Sequence, residues 1–128
     1  MVPDFLIPET VVRKDGAGPE LVLGDAAGTL MLLTLGVTRI IEQESLDVSV
    51  WGSADRTDWG TKPLVSFPQK FYCGTYELLV DLTGRSDVKY VRAQWKVNRW
   101  GRGSEEPLFG FYLFLRAVAE RSLVAKTA

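Results

Sequence analysis

Apolar and polar residues alternate with a period of two along most of the chain, which is the signature of β-strands. The clearest run is YVRAQWKVNRW, from Tyr90 to Trp100. Val91, Ala93, Trp95 and Val97 fall on one face of it, and Tyr90, Arg92, Gln94 and Lys96 on the other. Comparable runs predict strands over residues 10–13, 20–23, 29–35, 38–42, 46–51, 64–67, 76–82, 89–97 and 109–116. The segments between them, DGAG, GDAAG, GSADRTDWGTKP, TGRSD and NRWGRGSEEP, hold turn formers. Short strands spaced by such turns predict an all-β fold, with a two-sheet sandwich or a small barrel as the two architectures. The preferred form is a jelly-roll-like antiparallel β-sandwich. Residues 67–74 lack clean alternation and read as a crossing between sheets, with Pro68 stopping ladder growth. Residues 117–128 read as one or two helical turns or as a flexible or docking tail.

Two strands carry more apolar side chains than one buried face requires. Residues 29–35 place Leu30 and Leu32 opposite Met31, Leu33 and Leu35. Residues 109–116 oppose Phe109, Phe111, Leu113 and Leu115 to Tyr112 and Phe114. A sandwich buries one face of each sheet, so the surplus calls for a second cover: a neighbouring subunit, a tail or a loop. Subunit contact is the favoured account, with Trp51, Tyr72, Tyr90, Tyr112 and Phe114 as interface candidates.

A chain of 128 residues fits one domain, 1–128, with no internal linker and enough length to close a core without metals or bridges. Its hydrophobic share of 46% and charged share of 24% belong to an ordinary globule. The net charge of -1 conceals a division: residues 1–58 hold 4 basic and 10 acidic side chains, residues 85–102 hold 6 basic and 1 acidic. Such opposed segments suit pairing between strands, or subunits attracting head to tail. A duplex binder would show a basic total or a long basic stripe, so no nucleic-acid partner is expected. Cys73 is the only cysteine, which rules out an internal disulfide, and its neighbours Phe71, Tyr72 and Tyr76 predict a buried thiol. A free cysteine and an N-terminus without a signal-peptide pattern point to a cytoplasmic or particle-associated protein. The apolar stretches are too short for membrane insertion.

Catalytic chemistry finds little support. The chain has no histidine, so it has no imidazole base, no Ser-His-Asp or Cys-His relay and no histidine metal ligand. It has no phosphate-binding GxxxxGK[ST] element either. Asp55 and Asp58 flank Arg56, whose charge spoils a calcium cage, and they read as a solvated turn. Glu105 and Glu106 read as surface charge. No catalytic residue, metal ligand or cofactor is therefore expected.

The aromatic residues are more informative. Trp51 lies opposite in parity to Leu46, Val48 and Val50, on the outer surface or beneath the loop that follows. Trp59 is expected to fold back and anchor that loop, and Trp95 shares the parity of core residues. Trp100 sits among Asn98, Arg99, Gly101, Arg102 and Gly103, none of them core formers. A tryptophan there can stack on a sugar, anchor an interface or pin its own loop, while Arg99 and Arg102 can hold carboxylates or lie over rings. Asn98, Arg99, Trp100 and Arg102 form the candidate ligand or interface loop.

Two segments resemble the discoidin (coagulation factor 5/8 type C) family of jelly-roll modules. In LDVSVWGSADRTDW, residues 46–59, Ser53, Asp55 and Trp59 match that family's Ser-x-Asp-Gly-x-x-Trp turn, with Arg56 in the glycine position. In KYVRAQW, residues 89–95, Tyr90, Val91 and Arg92 match its Arg-Tyr-Val-Arg strand, with Lys89 leading. The resemblance implies the fold and not a ligand. The disulfide that staples the family's ends has no counterpart here. Two functions remain in contention: a non-enzymatic structural subunit that self-associates into a homo-oligomer or larger assembly, and a carbohydrate- or small-ligand-binding module using loop 98–103. A glycan or protein partner fits either one.

Overall fold

The computed structural model describes residues 2–41, 44–99 and 107–118. Their strands form two antiparallel sheets. In chain order these are β1 (Asp4–Val12), β2 (Gly16–Ala17), β3 (Leu21–Val22), β4 (Leu30–Ile40), β5 (Glu44–Ser53), β6 (Val65–Ser66), β7 (Gly74–Asp81), β8 (Tyr90–Arg99) and β9 (Phe109–Ala117). A short 3-10 turn, Gly24–Ala26, leads into β4. The first sheet has the order β1-β9-β4-β7. In the second, β8 and β5 form the centre, β6 flanks β5, and β2 and β3 both pair with β8. The protein is thus an all-β, jelly-roll-like antiparallel sandwich, as the alternation predicts.

The inner faces meet in one apolar layer. Met31, Leu33 and Leu35 of β4, Phe111, Leu113 and Leu115 of β9 and Val80 of β7 come from the first sheet, with Leu6 of β1. Leu46, Val48 and Val50 of β5 and Val91 and Ala93 of β8 come from the second, and every one of these side chains is buried. Burial of a Leu, Val or Phe side chain contributes roughly 1.5–3 kcal/mol, so this layer dominates the stability. Trp95 joins it from β8, its ring edge-on to Phe111 at a centroid distance of 5.7 Å. Its indole N–H donates to the Lys14 carbonyl at 2.9 Å. Gly16 of β2 lies so close to this indole that a Cβ there would come within 2.7 Å of the ring, and glycine is what lets β2 pair over Trp95.

The fold departs from the sequence expectations in instructive places. Residues 29–35 and 38–42 are not two strands: β4 runs unbroken from Leu30 to Ile40. Gly36 reads as a break but serves as a floor. The Tyr112 ring lies across it on the outer face, where any Cβ would collide with that ring. β1 starts six residues before the predicted run, because Pro8 disguises it, and register shifts between Phe5 and Ile7 and between Ile7 and Thr10 absorb the irregularity. Cys73 is exposed rather than buried. It sits in the link from β6 to β7, whose neighbouring Phe71 and Tyr72 face outward as well. That link does cross from one sheet to the other, as Pro68 suggests, with Phe67 buried and Lys70 bridged to Leu46. The predicted tail from residue 119 onward lies outside the described residues.

Candidate functional site on the outer face of the second sheet

The pairing of β5 with β8 lays out this face residue by residue. Asp47 is opposite Lys96, Ser49 opposite Gln94, Trp51 opposite Arg92 and Ser53 opposite Tyr90. The same alternation that turns Leu46, Val48 and Val50 inward turns Asp47, Ser49 and Trp51 outward. A groove of about 370 Å3 runs over them, lined by Asp47, Ser49, Trp51, Ser66, Gln94 and Lys96 among others. Trp51 is half-buried in it, and its indole N–H donates to Ser49 Oγ at 3.0 Å. Gln69 holds Asp47 from the side, its amide donating to Ser45 Oγ and Asp47 Oδ2 at 3.1 Å each. The groove therefore offers an aromatic surface beside carboxylate, amide, hydroxyl and ammonium groups.

Next to the groove, cations alternate with rings. The Arg92 guanidinium lies over the Trp59 ring at 4.4 Å, and that of Arg56 over the Tyr90 ring at 4.6 Å. Arg56 also pairs with Glu20 at 3.5 Å. Arg92 Nε is buried without a hydrogen-bond acceptor from the described residues. A second hollow of about 400 Å3, lined by Trp59, Lys62, Asp81 and Arg85, shares Pro63 with the groove.

The turn after β5 is built by its polar side chains. Ser53 Oγ accepts from the amides of Asp55 and Arg56, at 3.2 and 2.9 Å. Asp55 Oδ1 accepts from the amides of Thr57 and Asp58 at 2.9 Å each. The Asp58 and Thr57 amides, with the Ser53 hydroxyl, hold the Asp55 carboxyl below its ordinary value. Arg56, which occupies the glycine position of the discoidin-type turn, has φ 70, the left-handed region that glycine adopts without strain. Trp59 closes the turn, donating its indole N–H to the Arg56 carbonyl at 3.1 Å. Asp55 is engaged in the turn, and the described residues contain no group of three or more His, Cys, Asp or Glu placed to hold a metal.

The residues singled out in the sequence fall in different places. Trp51 and Tyr90 lie on this outer face. Tyr112 and Phe114 lie on the outer face of the first sheet, opposite Gly36 and Thr34 of β4. Tyr72, 74% exposed, is in the link before β7. Asn98 and Arg99 end β8, opposite Ser45 and Glu44. Trp100 and Arg102 lie outside the described residues. Glu44, which the sequence does not mark, is buried, and its carboxylate accepts from the Ile41 and Leu108 amides at 2.9 and 2.8 Å. The groove residues Asp47, Ser49, Gln94 and Lys96 also escape motif reading, although their shared parity with Trp51 is visible. Asp47 facing Lys96 and Glu44 facing Arg99 show where part of the divided charge meets: within the molecule, across one strand pair.

No protein-family model matches the chain, and no curated protein matches it. The discoidin-like resemblance therefore rests on its motif residues. Among solved structures, the K3 cleaved adhesin domain of Lys-gingipain from Porphyromonas gingivalis W83 aligns with a TM-score of 0.48 at 15% identity. The alignment covers 88% of this chain and 66% of that one. The K1 cleaved adhesin domain of the same protein gives 0.44 and 15%, with the same coverage of 88% and 66%. The fold described above stands on its own strand pairing and burial.

Proposed function

We propose that the protein is a non-enzymatic binding module that takes a carbohydrate or similar small polar ligand on the outer face of its second sheet. The observation that carries this reading is the half-buried Trp51 lying in a groove with Asp47, Ser49, Gln94 and Lys96. A pyranose ring has an apolar C–H face and a rim of hydroxyls. The indole accommodates the first, and a mixed set of donors and acceptors accommodates the second. The residues sit on two central, paired strands, so the site is rigid before a ligand arrives. A glycan array probed with the intact chain tests the proposal: selective binding lost in Trp51→Ala supports it, and an array without any hit refutes it.

Self-association is the second reading, favoured by a separate observation. Phe5, Pro8, Tyr112 and Phe114 surround a shallow hollow of about 500 Å3 on the first sheet's outer face. Phe5 is 44% exposed there and packs edge-on against Phe114 at 4.9 Å. Light scattering at micromolar concentration checks it: a dimer or larger species that Tyr112→Glu disperses supports this reading, and a monomeric wild type excludes it.

A further inference from the structure

The edges of the two sheets are not equally protected. β1 carries Pro8 and two register shifts. β6 has two residues and lies between Pro63 and Pro68, while β2 and β3 have two residues each and are separated by Pro19. These are familiar ways of preventing an edge from accepting another strand. β7 uses none of them. Its eight residues hold no proline and pair with β4 in continuous register from Leu30–Asp81 to Val37–Gly74. Among the described residues β4 is its only strand partner, leaving a ladder edge roughly 27 Å long at about 3.4 Å per residue.

The side chains along this edge are equally open. Tyr76 and Leu78 point toward the core but are only half-buried, although the Lys70 ammonium covers the Tyr76 ring at 3.9 Å. On the other face Leu79 is 55% exposed, between Glu77 and Asp81. Phe71 and Tyr72, 41% and 74% exposed, lie just ahead of the strand.

We infer that β7 is a docking edge for an extended segment of a partner protein, which pairs with it as an added strand and carries basic side chains alternating with apolar ones. Main-chain pairing supplies the attachment, and alternate side chains supply the selection. Glu77, Leu79 and Asp81 present an acidic, apolar, acidic order on one face, so the complementary segment places Lys or Arg, an apolar residue and Lys or Arg beside them. A second copy of β7 is a poor occupant, because antiparallel self-pairing would gather the Glu77 and Asp81 carboxylates of both copies on one face. The inference is independent of the groove on the second sheet.

The probe is a fluorescent nonapeptide with the order Lys-Thr-Val-Thr-Lys-Thr-Val-Thr-Lys, titrated into the intact chain at low salt and followed by anisotropy. Saturable binding is expected. Glu77→Lys should weaken it about tenfold or more, and the double variant Glu77→Lys/Asp81→Lys should recover binding to a peptide with Glu in place of each Lys. A third peptide, N-methylated at every second residue, keeps its charges but cannot complete a ladder. If it binds as well as the first, or if the first fails to bind at millimolar concentration, the inference is overturned.

Discussion

The two outer faces of the sandwich are built by the same alternation and end up chemically opposite. On the first sheet the outward positions of β1 and β9 hold Phe5, Tyr112 and Phe114, and the Tyr112 ring lies against Gly36. On the second, β5 and β8 hold Asp47, Ser49, Trp51, Arg92, Gln94 and Lys96, with their rings held by cations and hydroxyls. A hollow walled mainly by Phe5, Tyr112 and Phe114 suits contact with another apolar surface. A tryptophan set among donors and acceptors suits a ligand that is polar at its rim. The difference teaches that the polar groups set around the rings, and not the number of aromatics, separate a packing surface from a recognition surface. Three aromatics mark the first face, and Trp51, Trp59 and Tyr90 mark the second.

Four tests sharpen this contrast, in decreasing order of expected effect. Glu44→Ala removes the buried acceptor of the Ile41 and Leu108 amides. It should lower the unfolding free energy by about 2–3 kcal/mol in urea titration, which tests how far a polar anchor on β5 of the second sheet holds the ends of β4 and β9 of the first. Trp51→Ala should weaken saccharide binding about tenfold, or about 1.4 kcal/mol, while Phe114→Ala leaves binding unchanged; calorimetry on both variants compares the faces directly. Gly36→Ala forces the Tyr112 ring off the sheet and should cost about 1 kcal/mol by thermal unfolding, with no loss of ligand affinity. The smallest effect concerns acid. Asp55 is held below 3.8 by hydrogen bonds to its ionised form, so its contribution is complete above that value and fades as pH falls through its lower folded pKa. The difference in Tm between wild type and Asp55→Asn should persist at neutral pH and close as pH falls below 3.8.

Much of this was legible in the chain. Period-two alternation locates most of the strands and the inward rows, although a small barrel would satisfy the same short amphipathic runs as the sandwich does. The Ser53, Asp55 and Trp59 turn is legible too. Arg56 in the glycine position even takes the left-handed backbone that the motif implies. What escapes is whatever depends on long-range pairing. Gly36 reads as a strand break because the ring that covers it comes from Tyr112, 76 positions onward. Glu44 reads as one acid among several because its amide donors are Ile41 and the distant Leu108. The polar groove escapes because Asp47 and Ser49 become neighbours of Gln94 and Lys96 only once β5 pairs with β8.

The most direct test of the central claim is chemical-shift mapping. The amide and indole resonances of the intact, labelled chain are followed while the strongest saccharide from the array is added. The account predicts perturbations centred on Asp47, Ser49, Trp51, Gln94 and Lys96, with the Tyr112 and Phe114 amides unmoved. Perturbations centred on Phe5, Tyr112 and Phe114 instead, or none on β5 and β8 at saturation, would contradict it.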